Sequence, residues 1–337
     1  HAKCSYVGCK TLNPRRFILR CRADLGLEIK CMQSVQTVSM QDSKGAYFKS
    51  TKQKMAVYSP TIIRDFNMEE SISLDAMPPV SDIIYTTLDF SAGEVSVSQG
   101  TALIRAEAAF KCLYEKEGEE GGLQLAVRRF PIALTVDDEA IQADSDISLS
   151  LNAKSIETEK EIDAYGENRV IELRYGVRAE LNCVNRQEIE VPTDMFFEEY
   201  ENENKLQSLP YEEPSKELKH RFTLEKVFEI PEMPIDNCLD LNVSVSVSEA
   251  VLAEGGISVK GSCGMNIFGA SSDGYRAHDC NAAFSELLPF TVSNPDCRFK
   301  ISAEAQNPTA DITSGRLSVR IPIQLCVTIT YKESLTA

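Results

Sequence analysis

Phe17-Ile18-Leu19-Arg20-Cys21-Arg22-Ala23-Asp24-Leu25-Gly26-Leu27-Glu28-Ile29-Lys30-Cys31 alternates apolar and polar residues along its length. A period of two places Phe17, Leu19, Cys21, Ala23, Leu25, Leu27, Ile29 and Cys31 on a face to be buried and the rest toward water. The pattern returns at Leu173 to Cys183 and at Leu317 to Tyr331. Arg20, Arg174 and Arg320 stand at the same phase, each one residue before Cys21, Tyr175 and Ile321. Three such copies in one chain mark an internal repeat of strand-built units.

The rest of the chain extends that pattern. From Ala102 to Tyr114, Ile104, Ala106, Ala108, Phe110, Cys112 and Tyr114 face one side, with Arg105, Glu107 and Lys111 opposite. From Ile257 to Ile267, Val259, Gly261, Cys263 and Met265 alternate with Lys260, Ser262, Gly264 and Asn266. Ile104 matches Val259, Arg105 matches Lys260 and Phe110 matches Met265, an offset of 259 − 104, about 155 residues. Leu288, Phe290 and Val292 are matched to Ile132, Leu134 and Val136, and the glycine-rich loop at Gly269 to Gly274 to the loop at Glu115 to Gly122. Many short alternating strands between Gly, Pro and Asn turns, with no long helical pattern, predict an all-β chain of tandem antiparallel β-sandwich repeats.

The expected division has five parts. Residues 1–33 form a partial unit, a closing strand pair. Residues 34–65 are a connector with a short strand near Met55 to Tyr58, and residues 66–191 a first full sandwich. Residues 192–219, rich in glutamate with Pro210 and Pro214, are an acidic linker, with a short helix near Ser215 to Lys219 as the alternative. Residues 220–337 are a second full sandwich. The closing strand pair is therefore present three times and the rest of the unit twice. A two-stranded hairpin alone is marginal in water, so residues 1–33 need a partner. Two expectations stand side by side: docking onto the first unit or onto a preceding unit that has been cleaved away, and completion of a sheet in a neighbouring molecule. Pro322 lacks an N–H, which predicts an edge strand at that point. Phe17, Leu19, Cys21 and Leu25 in the hairpin, with Pro322 and Cys326, are the candidate assembly residues.

Composition narrows the function. The chain has 337 residues and 43% hydrophobic residues, enough for a buried core. Lys+Arg total 35 against 51 Asp+Glu, a formal charge of −16. Phosphate binding needs a basic surface, so nucleic acid is not an expected partner, and neither is an anionic lipid surface. No apolar run reaches the roughly 18 residues of a membrane helix, so membrane insertion is not expected. The chain opens on His1, which reads as a processed piece. The 11 cysteines include no Cys-x-x-Cys pair, and zinc is not expected. Cys21, Cys31, Cys112, Cys183 and Cys263 fall on apolar phases and read as small hydrophobes. Cys326 falls on the opposite phase, which predicts an exposed thiol able to cross-link subunits.

Sites for chemistry are sparse. Asp137, Asp138, Glu139, Asp144 and Asp146 form an acidic cluster, but their spacing matches no EF-hand, and a solvated turn is the expected reading. His278 stands two residues before Cys280. On a strand the two share a face with backbones about 6–7 Å apart, long for a nucleophile–base bond. Neither glycine-rich loop ends in Gly-Lys-Ser/Thr. Trp is absent and aromatics are 7%, against a sugar cleft. No catalytic residue, cofactor or metal is expected.

Several segments resemble one known family. Asn13-Pro14-Arg15-Arg16 before an alternating strand is similar to the Asn-Pro-Arg signature of SPOCS-domain proteins, spore-coat-associated β-domain proteins. So are Leu149 to Lys154, Arg174 to Phe197 with Thr193-Asp194, and Leu288 to Val292. Nearly the whole chain takes part, as one tail plus two units. The resemblance implies a non-enzymatic role in endospore-surface assembly, with partners among other spore-surface proteins and with itself. It implies a location on the spore coat, reached from the mother-cell cytoplasm. The peptidoglycan-binding LysM module of some members has no counterpart in these residues. The alternatives from the pattern alone are an extracellular filament subunit and a module binding cell-wall glycan or a partner protein.

Overall fold

The computed structural model describes residues 2–13, 16–25, 45–118, 121–199, 201, 208–214, 217–229, 235, 237–271, 274–291, 297–313 and 315–336. Among them every regular element is a strand. In chain order these are β1 (Ala2–Asn13), β2 (Arg16–Leu25), β3 (Ala46–Tyr58), β4 (Ile62–Ser73), β5 (Val80–Ser98), β6 (Thr101–Lys116), β7 (Leu123–Asp137), β8 (Asp146–Glu161) and β9 (Val170–Phe197). There follow β10 (Ser208–Pro214), β11 (Leu218–Glu229), β12 (Asn237–Ala253), β13 (Gly256–Ser271), β14 (Gly274–Pro289), β15 (Cys297–Ala305), β16 (Thr309–Thr313) and β17 (Arg316–Thr336). All pairings are antiparallel.

Two pairs of sheets are wired alike. β5-β6-β7 is a three-stranded meander, and so is β12-β13-β14. Beside the first, long β9 pairs with β3, β4 and β8; beside the second, long β17 pairs with β10, β11, β15 and β16. The alternation seen in the sequence sorts side chains as expected. Ile104, Ala106, Ala108, Phe110, Cys112 and Tyr114 of β6 are buried with Ile171, Leu173, Tyr175, Val177, Ala179, Leu181 and Cys183 of β9 in one core. Ile257, Val259, Cys263, Met265 and Ile267 of β13 are buried with Leu317, Val319, Ile321, Ile323, Leu325, Val327 and Ile329 of β17 in another. Each fully buried Leu, Ile or Val contributes about 1.5–3 kcal/mol by leaving water, so these four strands anchor the two sandwiches.

The three copies of the strand pair share an irregularity. Opposite Ala23 and Arg20 lie Cys4 and Gly8. Opposite Val177 and Arg174 lie Ala153 and Glu157. Opposite Ile323 and Arg320 lie Ala305 and Thr309. In each case three residues on the outer strand face two on the inner one, which is a bulge. In the third copy it divides the outer strand into β15 and β16, with Asn307 at φ 53.

Three expectations from sequence need correction. Most of the 34–65 connector that is described is strand: β3 pairs with β9 from Ala46↔Phe197 to Tyr58↔Val184, and Ile62 of β4 is buried in the first core. The described part of the 192–219 linker is likewise mostly strand. β9 continues to Phe197, β10 pairs with the end of β17, and β11 begins at Leu218, so Leu218 and Lys219 of the alternative helix are strand while Ser215 and Lys216 lie outside the described residues. Among the described residues β10 pairs on one side only, which tolerates Pro210 and Pro214. Finally, the ladder places Leu288 opposite Ile257 as Val136 is opposite Ala102, and Phe284 opposite Gly261 as Ile132 is opposite Ala106. Leu288 thus corresponds to Val136. The β13–β14 turn is shorter than the β6–β7 turn, so a constant offset fails beyond it.

Candidate assembly surface

The first strand pair differs from its two counterparts in what covers it. Among the described residues β2 pairs with β1 alone, whereas β9 and β17 are paired along both sides. Its apolar phase stands in water. Phe17 is 68% exposed, Leu19 60% and Leu25 77%, and Cys21 is exposed too. At the corresponding phase, Ile171, Leu173, Tyr175 and Ala179 of β9 are buried, as are Leu317, Val319, Ile321 and Leu325 of β17. The expected burial of this face is therefore not met within one molecule. Nor does the hairpin dock on the first sandwich through described strands, since β2 joins no other sheet. Leu27, Ile29 and Cys31 lie outside the described residues.

The polar phase shows a parallel difference. Arg174 Nε lies 3.3 Å from Glu69 Oε1, the residue directly across on β4. Arg320 Nε lies 3.4 Å from Glu225 Oε1, directly across on β11. Arg20 is exposed and has no carboxylate partner among the described residues.

The other two candidates are placed differently than expected. Pro322 belongs to the central strand β17, not to an edge. Thr223 of β11 lies across from it on one side, and the bulge between β15 and β16 lies on the other. The missing N–H is harmless there because the ladder is interrupted. The Pro322 carbonyl accepts from the Gln306 N–H at 2.7 Å. Cys326 is half-buried, and burial pushes its thiol up. Gln324 Nε2 donates to its Sγ at 3.6 Å, and Gln324 Oε1 accepts from Arg221 Nε at 2.7 Å. A ready cross-linking thiol at Cys326 does not fit these surroundings.

A second polar constellation has no sign in the sequence pattern. Asp240 on β12 is 2% exposed, and Lys111 and Tyr85 of the first sandwich reach it. Lys111 Nζ donates to Asp240 Oδ1 at 2.9 Å, to the Leu241 carbonyl at 3.3 Å and to Asn242 Oδ1 at 3.4 Å. Tyr85 Oη donates to Asp240 Oδ2 at 2.6 Å, and Asn242 Nδ2 donates to the same oxygen at 2.8 Å. Burial would raise the Asp240 carboxyl, but the Tyr85 and Lys111 hydrogen bonds outweigh it and hold the group below the usual carboxylate range. On other strands, Gln53 Nε2 donates to Tyr211 Oη at 2.9 Å, and the Ala56 N–H donates to Glu213 Oε2 at 3.1 Å. These bonds join the two sandwiches.

The remaining chemical candidates are absorbed by local structure. Asp138 accepts from Arg64 and from the Ala140 N–H, and Asp137 from Thr101. Asp146 faces Arg186 at 3.6 Å. His278 and Cys280 share a face of β14, opposite Ile267 and Met265, while Asp279 turns away and accepts from Asn266 at 2.7 Å. Burial pushes the Cys280 thiol up, which disfavours the thiolate a nucleophile needs.

No family model, curated protein or solved structure matches this chain.

Proposed function

We propose that this is a non-enzymatic structural protein of tandem sandwich units, about 155 residues apart in sequence, that self-associates through its N-terminal hairpin. The observation that carries the reading is the exposed apolar face of β2, beside two equivalent strands whose same face is buried. Apolar faces of this kind mark interaction surfaces. The resemblance to SPOCS-domain proteins supports placing the assembly on the bacterial endospore surface, as coat or appendage, built from the mother-cell side with other surface proteins. An extracellular filament would use the same contact.

The test is deletion of residues 1–33, followed by sedimentation velocity and negative-stain imaging against the intact chain. The intact chain forms larger species as concentration rises. The deleted chain keeps its β signal in circular dichroism and stays monomeric. Equal assembly by both chains refutes the reading.

A further inference from the structure

The identity of the strand that meets β2 is written in its two counterparts. Strand β9 receives β4, and β17 receives β11, both antiparallel and in corresponding register: Glu69 across from Arg174, Glu225 across from Arg320. β4 and β11 share a short pattern, Phe66-Asn67-Met68-Glu69 and Phe222-Thr223-Leu224-Glu225. In each, the Phe and the Met or Leu turn toward the apolar side and the Glu toward the arginine. β2 has the same bulged partner strand, the same arginine phase and an apolar face of the same kind. Among the described residues it lacks the third strand and a facing meander.

We propose that β2 receives, along its open side, a Phe-x-apolar-Glu strand of a second copy of this chain, with the glutamate opposite Arg20. Among the described residues β4 and β11 pair only with β9 and β17, so each keeps an outer edge for such addition. Backbone pairing would supply the affinity and the alternating side chains the register. The inference rests on the hairpin being the assembly element. It adds which strand is taken and which charge sets its position.

A labelled peptide of residues 218–229 is the probe, titrated with the intact chain by fluorescence anisotropy. Binding is expected to weaken about five-fold with Arg20→Glu, since an exposed cross-strand attraction becomes a repulsion. It should recover when the peptide carries Glu225→Arg. Excess peptide should also suppress self-association of the intact chain in sedimentation. Binding that ignores both charge changes overturns the inference, even if the intact chain assembles. Arg20-dependent binding by a chain that remains monomeric at every concentration overturns the second copy as occupant and, separately, the assembly reading itself.

Discussion

Leu19, Leu173 and Val319 occupy one phase of three equivalent strands, which makes them a controlled comparison. Leu173 is wholly buried and Val319 is 3% exposed, while Leu19 is 60% exposed. Leu173→Ala removes buried methyl groups and leaves a cavity in the first core, at a cost of about 3 kcal/mol. Val319→Ala removes fewer atoms from the second core and costs about 2 kcal/mol. Leu19→Ala should cost the isolated molecule less than about 0.5 kcal/mol, as a surface change does. For a sandwich of this size, the Leu173 change lowers the melting temperature by roughly 6–12 °C. Thermal unfolding by circular dichroism at micromolar concentration reads all three. The same three proteins are then compared in sedimentation, where only Leu19→Ala should weaken association. If Leu19→Ala destabilises the monomer as much as Leu173→Ala, the hairpin is buried within its own molecule, and the equivalence drawn here between an open strand and two covered ones is wrong.

The remaining predictions concern the buried carboxylate and the thiols. Asp240→Asn leaves Lys111 without its carboxylate and should lower stability by about 2 kcal/mol at neutral pH, measured by urea unfolding. Because the folded pKa of Asp240 is depressed, its contribution is complete above the unfolded carboxylate value, about 3.9. It is lost as pH falls through the lower folded value, so the wild-type advantage over Asp240→Asn should shrink only in that acid window. Among the cysteines whose side chains are described, Cys21 should be the first alkylated by a maleimide, as mapped by mass spectrometry. Cys112, pushed up to about 12, and Cys263, pushed up to about 11, both by burial, should react only on unfolding. Rapid labelling of Cys112 in the native chain would contradict its place in the core.

What could be read from the sequence was what alternation encodes. Ala102 to Tyr114 and Ile257 to Ile267 were legible because each presents an unbroken inward phase to a core. The start of β4 was not legible, because Arg64 and Asp65 blur its phase; Asp65 in fact pairs with Arg178 at 2.8 Å and Lys154 at 2.6 Å. β10 was hidden by Pro210 and Pro214, which argue against a central strand but not against an edge. The outlook of β2 was not legible at all. Alternation tells which side chains share a face, and burial depends on whether another sheet arrives to cover it. The Asp240 site was invisible for a different reason. An aspartate between Leu239 and Leu241 carries no pattern, and Lys111, which makes it tolerable, is 129 residues away.

The junction also bears on how the molecule can grow. Thr87 pairs with Lys111 across β5 and β6, and Asn242 pairs with Asn266 across β12 and β13. Tyr85 and Asp240 lie two residues before the first member of each pair, so they occupy corresponding places on the two meanders. They are 155 residues apart and bonded to each other. Lys111, beside Thr87, reaches Asp240 and Asn242, again the corresponding region. Contacts that join like surface to like surface close on themselves, whereas open chains need two unlike surfaces. That part of each meander is thus engaged with the other within one molecule. Under the proposed assembly, growth would use unlike surfaces, and an open β2 meeting the outer edge of β4 or β11 would be such a pair. Its two ends differ in sequence and in charge, with Arg20 on one and Glu69 or Glu225 on the other. One bond per molecule of this kind leaves a free donor and a free acceptor after every addition, which is the condition for a filament rather than a closed dimer.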